Sequence, residues 1–387
     1  MNRTSLIINE LKKTKGYKNY NGRSNKITQF GYHSFDIDEI KIQGQRNTKQ
    51  RINSISKYIN FDGKIVVDVG CNVGGMLFHL KNIKQGFGFD FDLNVIDAAN
   101  NISSILNKTN LIFKQFDFDK QDIEIFKKEL PVIPDVVFFL SIANWIKNWK
   151  TVYDYFIDLN VDIVFETNEI KSELTQLEFF EERGLEPKLI IEGSPDDQNV
   201  KSKSIRNTYY VENKLLKKHK RACIVKNHNS VITKYYDKKV FNKIKNLYEH
   251  IKDIKYVPTI KFYEKNNSVK IPFLKNPLSR IKHISLTEKR EIKNQIIDLI
   301  NELQKVKINH KDLHTKNIFW DGSQIWVIDW EYICIAPDDK FENFYDINSK
   351  NGKAPIKNYR MDLFSENKYS IKNFLLPEVI LKRDEFK

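Results

Sequence analysis

His310-Lys311-Asp312-Leu313-His314-Thr315-Lys316-Asn317 reads as H-x-D-x-x-x-x-N, and the apolar run Ile325-Trp326-Val327-Ile328 that follows ends in Asp329. Phosphoryl transfer needs one carboxylate beside the attacking hydroxyl and two oxygen ligands that hold a divalent cation against nucleotide phosphates. Asp312 suits the first role, Asn317 and Asp329 the second. Asn317 shares a loop with Asp312, and Asp321-Gly322 predicts the hairpin turn that returns Asp329 alongside. An ordinary polar loop before a hairpin would not need four positions, an apolar strand and a turn to agree in order. Upstream, Val231-Ile232-Thr233-Lys234-Tyr235 places Lys234 in a predicted strand, where it is either a phosphate-gripping lysine or a surface one.

A second constellation lies in the first half of the chain. Val67-Asp68-Val69-Gly70-Cys71-Asn72-Val73-Gly74-Gly75 follows a short apolar strand and precedes a helix from about residue 76. Glycines let the backbone pass close under a ligand, and the helix start offers unpaired N–H groups. The dinucleotide pattern G-x-G-x-x-G is not met, since the glycines fall at 70, 74 and 75. Gly86-Phe87-Gly88-Phe89-Asp90 is a second predicted strand ending in an acid able to accept two hydroxyls. A third strand over 111–116 ends at Asp117, a fourth covers 135–141, and a fifth covers 161–165 and runs into Glu166. Taken singly, Asp68, Asp90 and Asp117 could be turn-forming or strand-end acids. Their order along five strands, each run followed by a helix or loop, predicts a doubly wound sheet with its site at the carboxyl edge. A hairpin over 187–192 and 207–211 should close this domain, and residues 1–28 read as a helix followed by an arm.

The first constellation resembles the atypical small-molecule kinases, the aminoglycoside, choline and lipopolysaccharide kinase group. Ile328-Asp329-Trp330-Glu331-Tyr332 and Phe344-Tyr345-Asp346-Ile347 carry that likeness. It implies ATP and Mg²⁺ as cofactors, Asp312 and Lys234 as catalytic residues, and Asn317 and Asp329 as metal ligands. Residues 273–275 would be the hinge at the adenine, and a helix over 287–305 would lie beneath the catalytic loop with Ile292, Ile296, Leu299 and Leu303 on one face. The pattern departs in two places. The helix over 241–251 carries Lys243 where a glutamate is expected, leaving Glu249 as the substitute. No glycine lies between Gly193 and Gly322, so phosphate cover must come from the turn at 226–229 or from basic side chains.

Residues 40–211 resemble class I S-adenosylmethionine-dependent methyltransferases. The resemblance implies a cofactor held by Asp68, Gly70, Cys71, Asn72 and Gly74, by Asp90 at the ribose and by Asp117 at the adenine amine. Gly44-Gln45-Arg46 precedes the first strand, and in some relatives such a segment grips the methionine carboxylate. Arg46 is therefore either that ligand or a helix-capping, surface charge. Trp145 and Trp149 follow the fourth strand and either line the acceptor site or pack in the core, core packing being the favoured expectation.

Lys and Arg number 64 against 50 Asp and Glu. Residues 1–212 hold 28 basic and 29 acidic side chains, while 213–387 hold 36 and 21, so the excess lies in the second half. It suits an anionic partner such as ATP, a phosphoglycan, nucleic acid or a lipid surface, and equally a lysine-rich solvated surface. Three scattered cysteines suggest neither a disulfide framework nor a zinc site, and point to a reducing, cytoplasmic setting. The most apolar stretch, 132–146, is broken by Pro134 and Asp135, so no membrane span is expected.

The expectation is thus an α/β chain: a Rossmann-like doubly wound methyltransferase domain over 1–212, then a small α+β protein-kinase-like domain over 213–387. Domain order resembles the bacterial O-antigen chain-terminating methyltransferase–kinases. That likeness implies phosphorylation of a hydroxyl on a glycan or small acceptor and methylation of the resulting phosphate. The alternative is an RNA or small-molecule methyltransferase with a degenerate kinase-like binding module, although the sequence shows no RNA-binding module.

Overall fold

The computed structural model describes residues 2–14, 31–168, 170–197, 206–310, 313–330 and 334–335. Its chain divides into two compact units. The first comprises residues 1–216 with 225–228, the second residues 217–224 and everything from 229 onward.

The first unit opens with a helix, Arg3–Lys12, and a small antiparallel pair, β1 (Phe35–Ile37) and β2 (Ile40–Ile42). Its centre is a seven-stranded sheet of β3 (Ile65–Val69), β4 (Gln85–Asp90), β5 (Leu111–Gln115), β6 (Val136–Leu140), β7 (Asp162–Glu166), β8 (Lys188–Ile191) and β9 (Thr208–Val211). The spatial order is β5-β4-β3-β6-β7-β9-β8. Strands β3 to β7 are parallel, and the β8–β9 hairpin adds antiparallel to β7. The near-continuous apolar runs of β3, β6 and β7 suit strands covered on both faces. Helices Leu93–Ile105 and Trp149–Asp158 bury Val95, Ile96, Ile102, Val152, Phe156 and Ile157. The doubly wound α/β architecture expected from the sequence is the one observed.

Strand order reverses at β3, which lies between β4 and β6, so the carboxyl ends of these strands flank the crevice where such sheets bind ligands. Gly70 makes the turn out of β3 at φ +73°, and a Cβ there would meet Ile142 Cδ1 at 2.5 Å. The short helix Gly75–His79 follows.

In the second unit, strands β10 (Lys214–Lys218) and β11 (Ala222–Asn227) mark the boundary region, and β12 (Ser230–Tyr235) follows. Strand β13 (Lys261–Tyr263) and strand β12 both pair antiparallel with β14 (Ser268–Pro272). Helix Lys238–Tyr248 packs through Phe241 in a cluster with Ala222, Tyr235 and Val269. A larger core gathers Ile292, Ile296, Leu299 and Leu303 from helix Leu286–Lys305 with Leu313, Trp320, Ile325, Val327 and Trp330. A reciprocal Ser285–Glu288 capping box starts that helix. Strand β15 (Ile308–Asn309) pairs with β18 (Cys334–Ile335), and β16 (Ile318–Trp320) with β17 (Ile325–Val327). Asp321 holds the β16–β17 turn by accepting from the N–H groups of Ser323 and Gln324, and Gly322 takes φ +103°.

Candidate functional sites

Register brings the first constellation to one edge. Asp68 lies beside Gly88 of β4 and Phe138 of β6, Asp90 beside Gln115, and Leu140 beside Glu166. Asp90 accepts from the N–H groups of Asn72 at 2.9 Å and Asp92 at 3.0 Å, which fixes its carboxylate against the Gly70–Gly74 turn. Each oxygen of a carboxylate has two lone-pair sites, so both keep acceptor capacity for a hydroxyl. Cys71 is buried; burial pushes its thiol pKa up, and the thiol donates to Asn72 O. Asn72 takes φ +49°, and the Gly74 N–H donates to Cys71 O, closing the turn. Asp117 lies just past β5, where it accepts from Asp119 N–H and pairs with Lys120 at 2.9 Å; the Lys120 contact lowers its pKa.

Arg46 is wholly buried, at 0% exposure, and stands in a different setting from the surface charge offered as one alternative. Its Nε and Nη2 donate to Asp196, Nη1 and Nη2 to Glu166, and Nη1 also to Tyr32 Oη. Burial would lower its pKa, but Tyr32, Glu166 and Asp196 raise it well above the usual guanidinium value. Glu166 takes further contacts from Arg51 and Ser141. Burial would push this carboxylate's pKa up; Arg51 and Arg46 outweigh it and hold it at about 2. Every guanidinium nitrogen of Arg46 is thus engaged by protein groups, and the residue locks the 31–47 segment to the ends of β7 and the β8–β9 loop.

Five buried polar atoms among the described residues lack a hydrogen-bond partner: Asn168 Oδ1, Ser194 Oγ, Asp68 Oδ2, Arg51 Nε and His33 Nδ1. Asp68 is pushed up to about 8, chiefly by burial, with Arg51 pulling it down and Asp90 adding to the rise. His33 is pushed down to about 3 by burial and the nearby Arg51, so its ring is neutral. His33 also abuts the helix that follows the glycine turn: a Cβ on Gly75 would lie 2.2 Å from His33 Nδ1. Unpaired buried groups each carry a desolvation cost. A ligand with an ammonium and a carboxylate, as in the amino-acid end of S-adenosylmethionine, matches an acceptor at Asp68 and a donor at Arg51.

Sequence reasoning named neither Arg51 nor His33 as a ligand, although Arg51 closes the Gly44–Arg51 segment and two arginines in one pre-strand run were the available signal. The core expectation for the tryptophans divides. Trp149 packs edge-on against Tyr153 and Phe179, whereas Trp145 is 76% exposed. Its loop is fastened instead by neighbours: Ile142 lies against Gly70, and Lys147 N–H donates to Asp119.

In the second unit Lys234 is 8% exposed and lies opposite Ser268. The proposed substitute partner, Glu249, does not serve it. Glu249 is exposed and paired with Lys252 at 2.8 Å, and Lys243 is exposed. The reason is geometric: helix Lys238–Tyr248 packs through Phe241 with Tyr235 and Val269, on the sheet face that alternation denies to Lys234. Phe273 N–H donates to Asn229 O at 2.7 Å, which ties the expected hinge to the start of β12.

Asp312, Glu331, Tyr332 and the segment 344–347 lie outside the described residues. The flanking groups are placed. Ile318 pairs with Val327, and Ile328 N–H donates to Asn317 O at 3.0 Å, so Asn317 and Asp329 flank one hairpin end. Asp329 takes φ +66°. His310 is buried and its Nε2–H donates to Ile328 O at 2.9 Å; burial lowers it to about 4. Among the described residues no three His, Cys, Asp or Glu side chains gather as a metal cluster. An amide oxygen and a carboxylate at adjacent positions nonetheless suit a hard cation such as Mg²⁺.

No protein-family profile matches the chain. A 58-residue stretch is 40% identical to the tRNA U34 carboxymethyltransferase of Campylobacter curvus; it covers 14% of this chain and 20% of that enzyme. The chain thus spans about a fifth of the curated relative it matches. Among solved structures, the bifunctional kinase-methyltransferase WbdD aligns with 76% of this chain and 78% of its own, at 15% identity and a TM-score of 0.35. A SAM-dependent methyltransferase from Aquifex aeolicus aligns with 43% of this chain and 89% of its own, at 11% identity and a TM-score of 0.31.

Proposed function

We propose that the first unit transfers a methyl group from S-adenosylmethionine and that the second phosphorylates a hydroxyl with ATP and Mg²⁺. The acceptor is a glycan or small molecule, and the phosphate installed by the second unit is the methyl acceptor, as a step in surface polysaccharide biosynthesis in the cytoplasm. What carries the reading is the convergence of the unpaired Asp68, Arg51 and His33 atoms beside the Gly70–Gly74 turn and Asp90.

The chemistry asked of each residue is modest. Asp90 orients a ribose by accepting its hydroxyls, while Asp68 and Arg51 meet the amino-acid end. Methyl transfer is an in-line displacement, so alignment supplies most of the rate, and an anionic phosphate acceptor needs no general base. S-Adenosylmethionine brings the activated methyl group. In the second unit Asp312 would accept the proton of the attacking hydroxyl and hold it in line, Lys234 would grip the α/β-phosphates, and Asn317 and Asp329 would hold Mg²⁺, which neutralises phosphate charge when bound. Among the described residues no helix is long and apolar enough to cross a membrane.

The test uses Asp312→Asn with ATP, labelled S-adenosylmethionine and a panel of glycan and metabolite acceptors. Phosphorylation should disappear, S-adenosylmethionine binding should persist, and only a chemically phosphorylated acceptor should be methylated. Wild-type methylation of an unphosphorylated acceptor by this variant would separate the two activities. A second reading takes RNA as methyl acceptor, favoured by the short match to a tRNA-modifying enzyme. Binding of random RNA that falls steeply with salt would support it.

A further inference from the structure

We infer that strand β10 and the turn after it form a docking surface for an anionic lipid bilayer, carried by Lys214, Lys217 and Lys218 and by the exposed side chains of Leu215 and Leu216. The inference goes beyond the two transfer reactions and does not depend on either.

Strand β10 lies at one end of the order β10-β11-β12-β14-β13, so among the described residues it is an edge strand with β11 as its neighbour. Successive residues of a strand point to opposite faces. All five residues of Lys214–Lys218 are nonetheless exposed, so neither face of this strand is covered by a second layer. Leu215 is 42% exposed and Leu216 48%. His219, Lys220 and Arg221 continue the exposed run into the turn, where the His219 N–H donates to Ala222 O at 2.8 Å.

Charge along this stretch has one sign. Five of the eight residues 214–221 are Lys or Arg, and no Asp or Glu occurs from 213 to 236, a span that covers β10, β11 and β12. Lysine on a sheet edge has an ordinary use, since it discourages pairing with another chain. Two adjacent exposed leucines work against that use, because apolar side chains on an open edge invite association. One partner suits both features. Anionic headgroups attract the ammonium groups, while the boundary with the acyl chains takes the leucines.

Nucleic acid would match the charge but not the rest. Surfaces for single strands interleave aromatic rings with their cations so that bases can stack, and arginine is the favoured fork for phosphate. Residues 214–221 hold no Phe, Tyr or Trp, and one arginine against four lysines. Lysine is a point charge that suits a diffuse anionic surface, and aliphatic leucine suits hydrocarbon. The combination favours lipid.

Co-sedimentation of the full chain with vesicles tests this, using phosphatidylcholine alone and phosphatidylcholine mixed with phosphatidylglycerol. The mixed vesicles should bind the wild-type chain, and the neutral ones should bind it about tenfold more weakly or less. Lys217→Gln combined with Lys218→Gln should weaken binding to the mixed vesicles by about tenfold or more. Leu215→Ser combined with Leu216→Ser should remove the binding that survives raised salt, where charge attraction is screened. Both variants should unfold at the wild-type denaturant midpoint, since the replaced side chains are exposed. Failure of the mixed vesicles to bind the wild-type chain overturns the inference, and so does wild-type binding by both variants. A loss confined to the lysine pair also overturns it, because it shows charge attraction without insertion. If random single-stranded RNA binds where the mixed vesicles do not, the surface belongs to nucleic acid.

Discussion

Arg46 in the first unit and Lys234 in the second are both buried cations beside a sheet, and their surroundings differ in kind. Arg46 is gripped bidentately by Glu166 and by Asp196, with Arg51 and Ser141 completing the carboxylate's shell. Lys234 has a second lysine as its diagonal neighbour, and that lysine faces a third. A cation enclosed by carboxylates holds a framework together, and its removal should be read in stability. Lys234, which the kinase reading sets against a phosphate, should instead be read in ligand affinity. The comparison separates two uses of buried charge that composition alone cannot distinguish.

The largest effect should come from breaking the enclosed pair. Arg46→Met would leave Glu166 and Asp196 buried against a neutral side chain, at a cost of about 3–5 kcal/mol. Denaturant unfolding checks this, and a loss below about 1 kcal/mol would show that Arg46 is not a structural lock.

Next in size is a stabilisation. Asp68 has a folded pKa of about 8 against an ordinary 3.8. Between those values the folded chain holds a proton that the unfolded chain releases. Its contribution to stability is therefore complete below about pH 4 and is lost as pH rises towards 8. Asp68→Asn should remove this dependence and stabilise the ligand-free chain at pH 8, with little effect near pH 4. The same variant should bind S-adenosylmethionine less well, a trade of binding against stability. Parallel pH profiles for wild type and variant would place the titrating group elsewhere.

The strand ends of the first unit were legible because a parallel sheet writes itself as apolar runs, and Asp90 and the Gly70–Gly74 turn stand where such runs stop. The hairpin carrying Asn317 and Asp329 was legible for a related reason: Asp321-Gly322 is local turn chemistry. The Arg46 lock was not, because it joins Arg46 to Asp196 across 150 residues. No local pattern reports which distant acid will meet a given arginine. Trp145 misled because an apolar side chain suggests burial, and a loop fastened at Ile142 and Lys147 can hold one exposed.

The central claim, two separate ligand sites of different chemistry, is tested most directly by titrating S-adenosylhomocysteine and Mg²⁺–ATP into the wild-type chain and Asp90→Ala. Loss of hydrogen bonds to a charged acceptor costs about 1.5–3 kcal/mol. Asp90→Ala should weaken S-adenosylhomocysteine by that amount and leave ATP affinity at the wild-type value. Unchanged S-adenosylhomocysteine binding in a folded Asp90→Ala chain, or a parallel loss of ATP binding, would contradict the account.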